Sequence, residues 1–194
     1  MIIQLGFNKT GTSSLARYFK DSGYKVIGNA SVASQIHSNI QEKNLPFMGL
    51  EFDLAQDLED HKHGIYSYNY YREFHEAYPH AKFILTTRSC EKWIASRLKH
   101  NGGRYVRRAM RNYSVDNLKQ LVDIWRKDFY IYHYNVTSYF EGKDCFFVHP
   151  LEVLNIPNLI DFLGPGYTFK STAYPTVLTG RSKAPISYDL SIRD

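Results

Sequence analysis

The sequence predicts an α/β domain in which a central parallel sheet is flanked by helices on both faces. Short apolar, β-rich segments alternate with longer segments whose apolar residues recur at helical spacing. That alternation builds βαβ units, and these run parallel and bury both faces of the sheet. No repeat, low-complexity tract or linker divides the 194 residues, a length that suits one domain with a real core. A single domain over residues 1–194 is therefore expected.

Ile2, Ile3, Leu5 and Phe7 form an apolar run of buried-strand length. A loop with two glycines, one lysine and several hydroxyls follows, and Leu15, Ala16, Tyr18 and Phe19 then recur at helical spacing up to Gly23. Residues 24–29 read as a second short strand and residues 31–44 as a polar helix. Leu45 to Asp57 reads as a stretch ending in a strand near Asp57, followed by a turn at His61-Lys62-His63-Gly64. Ile65 to Tyr78 carries aromatic residues at helical spacing and closes at Pro79. Residues 81–87 are the clearest strand, β-rich and apolar enough to be central. Ser89 is placed to cap a helix reaching about His100, which Gly102-Gly103 breaks. Val115 to about Phe140 reads as a long helix with Trp125 on its apolar side. Cys145 to Val148 is a last strand, Asn158 to Leu163 a short helix, and loops are expected beyond Phe169.

The formal charge is +5 and the pI about 9.1. Such a balance suits nucleic acid, and equally an enzyme that binds a ligand with several negative charges. The densest basic group is Arg104, Arg107, Arg108 and Arg111, read as a solvated face with an acidic substrate as the competing partner. Cys90 and Cys145 form no disulfide framework or metal-ligand spacing and suit a reducing compartment. No apolar run approaches twenty residues, and the first strand begins at residue 2, so a cytoplasmic protein without a signal peptide or membrane span is expected.

Strand, small-residue loop and helix form the architecture of a phosphate cradle. N–H groups at a helix start point at an anion, the helix dipole favours negative charge, and Lys9 adds a full charge. The order is not that of a Walker A loop, which places lysine directly after the second glycine; here Lys9 precedes Gly11 by two residues. An ordinary glycine turn before a helix is the competing reading. Phe7-Asn8-Lys9-Thr10-Gly11-Thr12-Ser13-Ser14-Leu15 resembles the 5′-phosphosulfate loop of sulfotransferases that use 3′-phosphoadenosine 5′-phosphosulfate (PAPS).

In an open parallel sheet, ligands bind beyond the carboxyl ends of the strands. Arg88 ends the clear strand, and Ser96 lies eight residues on, within about 80° of the helix-start direction at ~100° per residue. A guanidinium and a hydroxyl so placed can grip one phosphate. Arg88-x7-Ser96 also resembles the 3′-phosphate motif of the same sulfotransferases, and its surroundings look like their small microbial branch. The resemblance covers residues 2–100 well and extends weakly to Leu163. It implies a P-loop-NTPase-like sulfotransferase fold and a C-terminal loop over the nucleotide, here Thr179-Gly180-Arg181-Ser182-Lys183, with Arg181 and Lys183 facing the 3′-phosphate. An exposed basic tail is the equal alternative for that segment.

The resemblance further implies transfer of a sulfuryl group from PAPS to a hydroxyl or amine, with adenosine 3′,5′-bisphosphate as product. Lys9 would neutralise the leaving phosphate, with the N–H groups of Thr10 to Ser13 and the hydroxyls of Thr12, Ser13 and Ser14 holding it. No metal is required. The general base falls among Asp57, first, then His61 and His63, with Asp53 and Glu51 lower; each has a plainer reading as a cap or turn residue. A small-molecule or carbohydrate acceptor is expected and nucleic acid is not; the acceptor itself and the oligomeric state stay open. The alternatives are a kinase-like enzyme with a divergent phosphate loop and a catalytically inactive binding module of the same fold.

Overall fold

Successive side chains of the first strand, β1 (Ile2–Gln4), enter two different cores. Side chains alternate across a strand, so a sheet covered on both faces needs apolar residues in both registers. Ile2, Leu54 and Ile84 join one core with helices α1 (Thr12–Asp21) and α7 (Ile156–Leu163). Ile3, Leu5, Ala55, Phe83 and Leu85 join the larger one, built with residues 30–140. The computed structural model describes residues 1–153 and 156–171; Arg181 and Lys183 lie outside them.

The remaining strands are β2 (Val26–Ile27), β3 (Leu54–Ala55), the pair β4 (Glu59–Asp60) and β5 (Ile65–Tyr66), β6 (Lys82–Thr87) and β7 (Phe146–Pro150). The main sheet runs β2-β3-β1-β6-β7, all parallel, with Ile3 opposite Ala55 on one side and Phe83 on the other. From β1 the chain crosses to the edge strand β2, returns to β3 beside β1, and then passes to β6 and β7 on the other side. The ends of β3, β1 and β6 therefore stand together at the switch point, where such sheets bind ligands. This is a single α/β domain with a five-stranded parallel sheet and helices on both faces.

The other helices are α2 (Ala30–Gln41), α3 (Tyr71–Ala77), α4 (Cys90–Leu98), α5 (Arg104–Tyr113) and α6 (Leu118–Phe140). Asn29 caps α2 through the N–H of Val32 at 3.0 Å, and Asn117 caps α6 through Gln120 at 2.9 Å. The long helix buries Leu121, Trp125, Phe129, Tyr132, Val136 and Phe140, one stripe at spacings of three and four. Among the described residues, no helix is long and apolar enough to cross a membrane.

Three expectations shift in detail. The stretch ending at Asp57 contributes only two paired residues, because Asp57 itself turns left-handed at φ 53° and ends the strand. Ile65 and Tyr66 are not helical but pair antiparallel with Asp60 and Glu59; only Tyr71–Ala77 is α-helix, after a 3₁₀ turn at Ser67–Tyr70. The cause is the Asp60 carboxylate, which accepts the N–H groups of Lys62 and His63 at 3.0 and 3.3 Å and closes the chain into a hairpin. Ser89 stands at the start of α4 without a side-chain cap; its N–H and hydroxyl turn instead to Glu152 at 3.1 and 3.5 Å.

Candidate active site

The loop after β1 is held from below by close packing. At Gly6 an added Cβ would stand 2.1 Å from both the carbonyl and the hydroxyl oxygen of Thr86, so only glycine fits beside β6. The Thr10 hydroxyl donates to the Phe7 carbonyl and lies 2.8 Å from Thr86 Oγ1, which Gln4 Nε2 also reaches at 2.6 Å. Thr10 is thereby occupied in shaping the loop. Lys9 and Gly11 take left-handed conformations, φ 66° and 97°, and such alternation turns successive N–H groups toward one point. The N–H groups of Lys9, Thr10, Gly11, Thr12 and Ser13 have no partner among the described residues; pairing resumes at Ser14 and Leu15, both bonded to the Gly11 carbonyl at 3.0 Å. Five adjacent unpaired donors at a helix start are groups able to receive an anion.

Charged groups converge on it from the neighbouring strand ends. Arg88 leaves β6 and donates from Nη1 to the Lys9 carbonyl at 3.3 Å. Its buried Nε lies 3.7 Å from Glu152 Oε1 and has no hydrogen-bond partner. Burial lowers the Lys9 pKa, opposed by the charge of Asp57 and reinforced by that of Arg88, so Lys9 senses both. Burial, then Glu59, pushes the half-buried Asp57 up to about 6, against the pull of His61 and Lys9. Thr12 and Ser14 are buried on the first turn of α1, while Ser13 is exposed. Ser96 is half-buried on α4, and its hydroxyl has no hydrogen bond among the described residues.

The other candidates divide. His61 opens the β4–β5 turn, pairs through Nε2 with Glu59 at 2.5 Å, and lies 3.0 Å from Asn8 Nδ2. It thus belongs to the loop's own neighbourhood. His63 faces Asp60 at 2.6 Å and is largely exposed. Asp53 accepts the Lys25 N–H at 2.7 Å and Glu51 pairs with Lys25 Nζ at 3.2 Å; both precede β3 and stand at the amino end of the sheet. Among the described residues, no group of three or more His, Cys, Asp or Glu is placed to hold a metal ion.

Beneath the loop lies a buried polar network that sequence reasoning missed. Asn8 gives its N–H to Glu59 Oε1 at 2.7 Å, accepts Trp93 Nε1 on its carbonyl at 3.0 Å, and accepts Arg97 Nε on its side chain at 3.0 Å. Arg97 is 4 % exposed, its guanidinium 4.0 Å from the centre of the Trp93 ring. Burial pushes the Glu59 carboxyl up, but the His61 bond and charge, Arg97 and the Asn8 N–H outweigh it, and the net shift is downward. His100 also joins the site. Burial first, then Lys9, His61 and Arg97, lower its pKa to about 4 and keep it neutral. The available signal was Asn8 beside the lysine; nothing local marked Glu59, Arg97 or His100.

A helix-start loop with unpaired N–H groups at the switch point of a parallel sheet, with lysine and arginine beside it, is an arrangement suited to α/β proteins that handle anionic groups. Within that class the assignment is specific: the family model for the sulfotransferase domain matches residues 1–154, and the chain belongs to that family. A search of curated protein sequences returned no match.

Proposed function

We propose that the protein transfers a sulfuryl group from PAPS to an acceptor hydroxyl or amine, in a reducing, cytoplasmic compartment. The observation that carries the reading is the row of five unpartnered N–H groups at the start of α1, because a 5′-phosphosulfate needs such a cradle. When bound, the nucleotide supplies an activated sulfuryl group whose sulfur–oxygen bond breaks onto phosphate.

The chain's residues hold, neutralise and take a proton. The N–H groups of Lys9 to Ser13, with the hydroxyls of Thr12, Ser13 and Ser14, fix the phosphate end, and Lys9 Nζ meets the charge that develops on the leaving oxygen. Arg88 brings a buried Nε without a hydrogen-bond partner and, with Ser96, suits a 3′-phosphate. Asp57 accepts the acceptor proton as the new oxygen–sulfur bond forms; a carboxyl near pKa 6 is charged at neutral pH and more basic than an ordinary carboxylate. His61 and Glu59 hold the loop through Asn8. In this reading Arg181 and Lys183, from outside the described residues, add charge near the 3′-phosphate.

Thermal unfolding with PAPS, adenosine 3′,5′-bisphosphate, ATP and ADP, added separately to wild type and Arg88→Ala, tests the reading. A ligand at a hundred times its Kd adds about 2.7 kcal/mol, which raises Tm by roughly 5–10 °C at this size. The 3′-phosphorylated nucleotides alone are expected to stabilise, and less so in Arg88→Ala. An equal response to ATP would move the assignment to a kinase-like enzyme.

A further inference from the structure

A small recess lies between the β4–β5 hairpin and helices α4, α5 and α6. His61, Tyr66, Arg97, Tyr105, Arg108 and Trp125 line it, and its volume is about 10 Å³. That is close to the room one water needs, so a single water-sized occupant fits and a ring or an oxyanion does not. The groups gathered there are short of acceptors. Trp125 is fully buried, yet its indole N–H has no partner. Arg97 is 4 % exposed and donates only from Nε, to Asn8. Its terminal N–H groups have no acceptor among the described residues. The Tyr105 oxygen receives Asn8 Nδ2 at 3.3 Å, while its own hydrogen has no acceptor among the described residues. The Arg97 guanidinium lies 5.1 Å from the centre of the Trp125 ring and 5.5 Å from that of Tyr105, so the three surround one space.

The charge balance points to an anion. A guanidinium taken out of water is costly unless an anion touches it. No carboxylate pairs with Arg97 among the described residues, because Glu59 is taken up by His61 and by the Asn8 N–H. Asp128, the other carboxylate nearby, accepts the Tyr113 hydroxyl at 2.8 Å. Against these two, α5 sets Arg104, Arg107, Arg108 and Arg111, all exposed, on a helix that contains no acid. The field over the recess is therefore positive. Water matches the volume but not the lining: its hydrogens need acceptors, and the unpartnered groups are donors.

We infer that the recess binds one halide ion, chloride in ordinary buffers. Its partners are the Trp125 N–H, the terminal N–H groups of Arg97 and the Tyr105 hydroxyl, with Arg108 at the rim. The ion gives Arg97 a contacting negative charge, and Arg97 holds Asn8, the residue before Lys9. It thereby braces the loop after β1 from beneath. The site is separate from that loop and does not depend on what the loop carries.

The test is crystallographic and thermal. Crystals grown with sodium bromide are expected to show an anomalous bromide peak in the recess, beside Trp125 and Arg97. Thermal unfolding is compared in sodium chloride and in sodium gluconate at equal ionic strength, since gluconate is too large to enter. Chloride at about ten times its Kd is expected to raise Tm by roughly 3–6 °C over gluconate. Trp125→Phe removes the indole N–H and Tyr105→Phe the hydroxyl, and each is expected to lose most of that difference. If either variant fails to fold, the other and the bromide map of the wild type still decide. The proposal is overturned by a water or no density in the recess, by bromide found only at the loop after β1, or by equal Tm in the two salts. A chloride response that the folded variants retain overturns it as well, because the response then arises at another anion site.

Discussion

Asp57 combines two features that rarely coincide, a left-handed backbone at φ 53° and a carboxyl raised to about 6. Asparagine tolerates the left-handed region, so Asp57→Asn removes the charge without straining the chain. If Asp57 is the base, the change lowers turnover by about 10²–10⁴-fold, and wild-type activity rises as pH passes through the region of 6. The stability effect has the opposite sign. The native carboxyl binds its proton more tightly than the unfolded one, so stability falls as pH climbs from about 4 to 6 and the cost is complete above that. Asp57→Asn is therefore expected to raise stability at pH 7 by about 1–3 kcal/mol while abolishing most activity. Urea unfolding beside initial rates checks both; a destabilised variant would show that the carboxylate holds the fold.

At the scale of elements, α4 is fastened to the loop by Arg97 and Trp93, both bonded to Asn8. Arg97 and Glu59 are buried opposite charges on either side of that residue. Removing one member of such a pair strands the other, at a cost of about 3–5 kcal/mol. Arg97→Leu should show that loss, and Arg97→Leu/Glu59→Gln less than the sum of the single changes, as a double-mutant cycle would reveal. Additive effects would mean the two charges do not sense each other. Between β1 and β6, Gly6→Ala forces a backbone collision with Thr86. Overpacking costs about 1–3 kcal/mol, so Tm should fall by roughly 2–12 °C; an unchanged Tm would mean the strands separate freely.

For the whole molecule, pH dependence sums groups held apart in the sequence. His149 is 2 % exposed at the end of β7, and burial lowers its pKa to about 4. A histidine depressed in the fold contributes stability that is complete above pH 6.5 and is lost as pH falls toward 4. Global stability should therefore climb across that window, and His149→Gln should flatten the climb by about 2–3 kcal/mol, read from urea midpoints at pH 4.5 and 7. An unaltered profile would place the titration elsewhere, with His100 next.

How much was legible follows from distance along the chain. The strand, loop and helix of residues 2–22 were legible because Lys9, Gly11 and the hydroxyls act within a few residues of one another, as were β6 and the apolar stripe of α6. The β4–β5 hairpin was not, since two-residue strands carry no period and the aromatic spacing of residues 65–78 imitates a helix. Glu59 and Arg97 were invisible because they meet Asn8 across 51 and 89 residues. By itself, then, the sequence determined most of the elements, their order and the make-up of the loop after β1, all matters of local dihedral preference and periodicity. Only the tertiary structure decided that Lys9 lies in the field of both Asp57 and Arg88, that burial raises Asp57 to about 6, and that a recess opens beside the loop. Burial and charge coupling depend on what lies within a few ångströms, and here folding alone sets those neighbours.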